Sequence, residues 1–90
     1  MSAYRSNGGT LVPMAAVRGM TQSPLYLQPE KVERFVDRMQ KGCEFPPIKV
    51  RKEGGFYVVL EGHHRRVASE QCSFTHIPVE IIPLPSAIAR

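Results

Sequence analysis

Three features of the chain predict a small, single-domain α+β fold. Between Pro29 and Gly42, the residues Val32, Phe35, Val36 and Met39 recur at the spacing of one helix face. Glu53-Gly54-Gly55 separates two strand-like runs, as a hairpin turn does. The second run, Val58-Val59-Leu60-Glu61, stops at Gly62, and His63-His64-Arg65-Arg66-Val67-Ala68 then opens a helix. Ninety residues, 42% of them hydrophobic, can build one thin core, so any site must be shallow or carried by loops packed on a sheet.

Taken in order, residues 1–9 are polar, end in Gly8-Gly9 and are expected to form a flexible arm. Residues 10–83 then make the domain. Thr10-Leu11-Val12 suits a short strand stopped by Pro13, and Met14 to Val17 suits a turn or a single helical turn. Arg18 to Pro24 has loop chemistry, with Leu25-Tyr26-Leu27 free to pack back onto the core. The first helix is expected from Pro29 to Lys41. Pro29 fits its first position, Glu30 and Glu33 favour its positive end, and Gly42 stops it. Arg34 and Arg38 alternate with Glu30, Glu33 and Asp37, which predicts a solvated, ion-paired face.

Beyond Phe45-Pro46-Pro47, alternation of Ile48 and Val50 with Lys49 and Arg51 predicts a strand over 48–52 with one buried face. The return strand, 56–60, is almost continuously apolar, which predicts burial on both of its faces. A second helix is expected over 63–72 and a last strand over 77–82. Pro83 and Pro85 end regular structure, leaving residues 84–90 as a tail.

The chemistry concentrates where the apolar strand meets the second helix. A helix start offers unpaired N–H groups and the positive end of a dipole. Gly62 lets an anion approach the backbone, and Arg65 can grip it with a planar fork, so this turn reads as a phosphate cradle. Alternatively, Arg65 forms a salt bridge to Glu61 or Glu70. His63 suits a general base, a phosphorylatable nucleophile or a simple anion donor, and Arg66 is expected to be solvated. The net charge of +4 favours an anionic partner without choosing among nucleotide, nucleic acid and acidic protein.

Cys43 and Cys72 are too few and too far apart for a disulfide framework or a zinc site, and no metal site from protein ligands is expected. No apolar run is long enough to span a bilayer, and residues 1–9 lack the hydrophobic core of a signal peptide. The expectation is a cytoplasmic protein with free thiols and no membrane partner.

The chain also resembles a known superfamily. Lys31-Val32, Phe35-Val36-Asp37, Pro46-Pro47-Ile48-x-Val50, Gly55-x-Tyr57, Gly62-x-His64-Arg65-x-x-Ala68 and Ile77-Pro78 follow the order and approximate spacing of sulfiredoxins. The G-x-x-R-x-x-A string at Gly62 is similar to the arginine-rich box of ParB partition proteins. The resemblance covers roughly Leu11 to Ile82. It implies the ParB/sulfiredoxin fold, a mixed sheet with two main helices. It also implies a nucleotide, ATP or CTP, with or without Mg²⁺, whose phosphates are held by Gly62, His64, Arg65 and Arg18. Arg18 enters only through this resemblance. Related free-serine kinases use a glutamate as base, for which Glu30 is a candidate beside its role as a helix-dipole partner.

Where sulfiredoxins carry their catalytic cysteine, this chain has His63, so sulfinic-acid repair lacks its nucleophile. Phosphoryl transfer or nucleotide hydrolysis, with His63 as the catalytic candidate, is the enzymatic reading. Two other readings stand beside it. One is a DNA-binding or nuclease accessory protein using Lys49, Arg51 and Lys52, without the helix-turn-helix and dimerisation domains of a full ParB. The other is a non-catalytic module that docks a protein partner through its C-terminal tail.

Overall fold

A computed structural model of the chain describes residues 3–19 and 28–83. The strands are β1 (Thr10–Pro13), β2 (Val17–Arg18), β3 (Ile48–Glu53), β4 (Phe56–Glu61) and β5 (His76–Ile81). The helices are α1 (Pro29–Gln40) and α2 (His63–Gln71), and a 3₁₀ turn over Met14–Ala16 links β1 to β2. The strands form one sheet in the order β1-β5-β3-β4-β2. β1 runs antiparallel to β5 and β3 to β4, whereas β3–β5 and β2–β4 are parallel, so the sheet is mixed as expected.

The main elements lie within a residue of their expected ends. Strand β1 includes Pro13, opposite His76; an edge strand tolerates proline because its outward N–H has no ladder partner to lose. The two-residue β2, expected as turn and loop, exists because Val17 and Arg18 pair with Tyr57 and Val58 of β4. No local signal marks so short a strand. Gly54 and Gly55 form the hairpin loop, with Gly54 at φ +57°.

One face of the sheet carries the core. Ile48 and Val50 of β3, Val59 of β4, and Ile77 and Val79 of β5 are essentially inaccessible to solvent. Val12 and Val17, Val32 and Met39 of α1, and Ala68 of α2 join the same cluster. The expectation that β4 is buried on both faces is incorrect. Only Val59 of that strand is buried, while Phe56 and Leu60 are 46% and 38% exposed. Both helices contribute their buried residues to one cluster, so β4 has a single covered face.

Residues 3–9, expected as part of a flexible arm, pack against the domain. Tyr4 is 3% exposed, its ring meets Phe45 edge-on at 5.8 Å, and its hydroxyl donates to the Pro46 carbonyl at 2.9 Å. Arg5 and Glu44 form a single parallel β-bridge through their backbones, and the Arg5 carbonyl accepts from the Phe45 N–H at 2.9 Å. An aromatic side chain with a partner for its hydroxyl outweighs the polar composition around it. Leu25-Tyr26-Leu27 and the tail 84–90 lie outside the described residues. Among the described residues, no helix is long and apolar enough to cross a membrane.

Candidate functional site

Strand β4 ends at Glu61, and Gly62 makes the turn with φ +107° as the N-cap of α2. Two constraints require glycine here. A positive φ is strained for any L side chain, and an added Cβ would lie 2.6 Å from Ile48 Cγ2. The first helical bond runs from the Arg66 N–H to the Gly62 carbonyl at 2.9 Å. The N–H groups of His63, His64 and Arg65 therefore have no acceptor within the helix, and Gly62 supplies no capping side chain.

Arg65 is tethered by carbonyls rather than by a carboxylate. Its Nη1 donates to the Pro46 carbonyl at 2.5 Å and reaches the Pro47 carbonyl at 3.4 Å. A salt bridge to Glu61 or Glu70 is absent: Glu61 pairs with Lys49 at 3.5 Å and Glu70 with Arg66 at 3.1 Å. Two carbonyls fix the guanidinium without neutralising it. The Tyr4 hydroxyl shares the Pro46 carbonyl, and burial pushes its pKa up to about 12 despite the nearby Arg65 charge. Tyr4 therefore remains a neutral donor beside the cation.

His64 links the two helix starts. Its Nε2 accepts from the Gln28 N–H, at the N-cap of α1, at 3.0 Å. That bond requires an unprotonated Nε2, so the neutral ring carries its proton on Nδ1, which is left as a donor.

Between the helices opens a cleft of about 380 Å³ lined by Lys31, Arg34, Phe35 and Arg38 of α1 and by Gly62, His64 and Arg65. Three of the seven residues, Gly62, His64 and Arg65, are the expected phosphate contacts, now side by side. Lys31, Arg34 and Arg38 were missed. Read along the sequence, they balance the acids of α1, but among the described residues none of the three has a carboxylate partner. Asp37 pairs instead with Lys41 at 3.0 Å. Their i, i+3, i+7 spacing, which sets one helix face, was the available signal.

Other expected residues lie elsewhere. Arg18 stands over the Phe56 ring, 4.4 Å from its centroid, and pairs in register with Val58 rather than with the core-facing Tyr57. It does not line the cleft. His63 does not line it either. Burial first, then the Arg66 charge and the adjacent His64, hold its imidazole below the usual range, so it is predominantly neutral at neutral pH. Arg66, expected in solvent, has a side chain only 19% exposed and is bound to Glu70. Glu30 is exposed in the first turn of α1 and does not line the cleft.

Cys72 caps the far end of α2, with its thiol pushed up by burial, and Cys43 lies exposed beyond α1. Neither puts a thiolate at the turn. Of the three cations suggested for nucleic acid, Lys49 pairs with Glu61 and Arg51 with Glu53. Among the described residues, no group of three His, Cys, Asp or Glu side chains is placed to hold a metal ion.

A family model for the ParB N-terminal domain matches residues 2–88. The chain belongs to that family. No curated protein sequence matches it. Among solved structures it is similar to the C-terminally truncated chromosome-partitioning protein ParB from Caulobacter crescentus complexed with CTP-γ-S. That match has TM-score 0.71 and 21% identity over 90% of this chain and 47% of that one. Sulfiredoxin from Arabidopsis thaliana superposes with TM-score 0.68 at 24% identity, covering 90% of this chain and 93% of the other. A mutant free serine kinase in complex with ADP matches with TM-score 0.69 at 17% identity over 89% of this chain and 33% of the kinase. At these identities the likeness is one of fold. This ParB N-terminal domain spans about half of the ParB chain and a third of the kinase.

Proposed function

We propose that the chain binds a nucleotide by its phosphates in the cleft between α1 and α2. The observation that carries this reading is the convergence of Lys31, Arg34 and Arg38 on the turn that presents Gly62, His64 and Arg65. The free N–H groups of α2 and the Arg65 fork supply fixed donors, and the His64 Nδ1–H adds another. Phe35 offers the cleft an apolar wall for a base or sugar. Family relatives in complex with CTP-γ-S and the kinase with ADP support a nucleotide as the anion.

In a reaction these residues supply positioning and charge neutralisation, the two requirements of phosphoryl transfer or nucleotide hydrolysis. The neutral His63, one residue after the turn, is the catalytic candidate, acting as a base toward a group held beside the turn. Cysteine-based repair is excluded from this proposal because both thiols lie away from the turn. The DNA reading is the weaker one: two of its three proposed cations are already ion-paired.

Titrating the ¹⁵N-labelled protein with ATP, ADP and CTP tests the proposal. Amide shifts confined to Gly62–Arg65 and the first turns of α1, and lost in Arg65→Ala, are expected. No shifts at millimolar nucleotide would overturn it. Hydrolysis no faster than that of Arg65→Ala would remove the catalytic part alone.

A further inference from the structure

The charge of the cleft specifies the ionic form of its ligand. Its lining contains Lys31, Arg34, Arg38 and Arg65 and no carboxylate. The chain has eight Asp and Glu residues in all, and every one belongs to the described residues. Those that are paired engage other cations: Asp37 with Lys41, Glu53 with Arg51, Glu61 with Lys49 and Glu70 with Arg66. Four cations therefore line one open volume, with no carboxylate among the lining residues or within ion-pair distance of them.

Mg²⁺ at phosphate sites is usually held by one or two protein carboxylates together with the phosphate oxygens. The donors here are ammonium, guanidinium and imidazole N–H, with none of the oxygen ligands that ion prefers, so the residues present do not fit Mg²⁺. They do fit the free polyphosphate chain. Guanidinium groups bind phosphate oxygens bidentately and keep their charge at any physiological pH. A Mg²⁺ ion already on the phosphates would occupy those oxygens and reduce the charge that the cleft attracts.

We infer that this cleft takes a metal-free polyphosphate, with Lys31, Arg34 and Arg38 supplying the neutralising charge that a divalent cation would otherwise bring, and that Mg²⁺ competes with the protein for the ligand. The inference rests on the proposed phosphate site and specifies its ligand. Replacing a partly neutralised triphosphate by the free one changes the charge attraction across the cleft by about tenfold in affinity.

Calorimetric titration with inorganic tripolyphosphate, ATP and CTP, each in EDTA and in excess Mg²⁺, tests it. Tripolyphosphate alone is expected to bind in EDTA, and all three ligands should weaken about tenfold in Mg²⁺. The exposed Arg34→Ala/Arg38→Ala double variant should lose most of the affinity and its preference for EDTA, whereas Arg5→Ala, an exposed cation outside the cleft, should retain both. Binding that requires or is tightened by Mg²⁺ would overturn the inference while leaving a nucleotide site intact. Tripolyphosphate binding without nucleotide binding would uphold the inference and reject the nucleotide reading. No binding of any ligand in either buffer would reject both.

Discussion

Gly62 is the residue on which the site depends. Its positive φ and the 2.6 Å approach of Ile48 to an added Cβ leave no conformation for a side chain. Gly62→Ala should lower stability by about 1–3 kcal/mol, measured by urea unfolding, and should displace the α2 donors. His63 gives a pH-dependent prediction. Its folded pKa lies below the ordinary 6.5, so the unfolded chain binds the proton more readily. Its contribution is complete above that value and is lost as pH falls toward the lower folded one. His63→Gln removes that loss. The fall in Tm between about pH 7.5 and about pH 5.5 should therefore be smaller in the variant than in the parent. The turn itself was legible, because a glycine between an apolar strand and a basic helix start marks the place where the chain passes from β4 into α2. The tether of Arg65 was not, since its acceptors, the Pro46 and Pro47 carbonyls, lie 19 and 18 residues away and carry no side-chain signature.

At the scale of the element, α1 serves two surroundings. Val32 and Met39 are buried against the sheet, and Lys31, Arg34 and Arg38 line the cleft. Periodicity identified the apolar stripe because burial repeats with the helix. It could not separate charges facing a cleft from charges facing water, since both look like a polar face until α2 is placed beside them. The two faces predict opposite behaviour. Met39, 1% exposed, should cost about 2–5 kcal/mol on replacement by alanine, measured by thermal or urea unfolding. Arg38→Ala should stay within about 0.5 kcal/mol in stability yet weaken phosphate binding. Strand β4 was misread for a related reason. A continuous apolar run signals burial on both faces only when layers cover both, and here the helices share one core.

For the molecule as a whole, element order alone indicated an α+β unit, but the sheet order β1-β5-β3-β4-β2 did not follow from local pattern. Pairing partners far apart in sequence decide it, and the two-residue β2 has no signature of its own. The largest whole-molecule difference lies at residues 3–9. Expected as a loose arm, they place Tyr4 in the core and join the segment before β3. Deleting residues 1–9 should therefore lower stability about as much as Tyr4→Ala does, about 3–5 kcal/mol, with a matching drop in Tm. A true arm would leave the melting curve unchanged.

The carbonyl of Pro46, shared by Tyr4 and Arg65, also makes the protein its own optical probe. The chain contains no tryptophan, so its intrinsic emission comes from tyrosine, and the buried Tyr4 hydroxyl bonds to the same oxygen that anchors the Arg65 guanidinium. An anion that draws Arg65 toward the cleft changes the company that hydroxyl keeps. Occupancy is then followed by the change in ultraviolet fluorescence of unlabelled protein, with Tyr4→Phe, which keeps the emission of the other two tyrosines, as the control that loses the change.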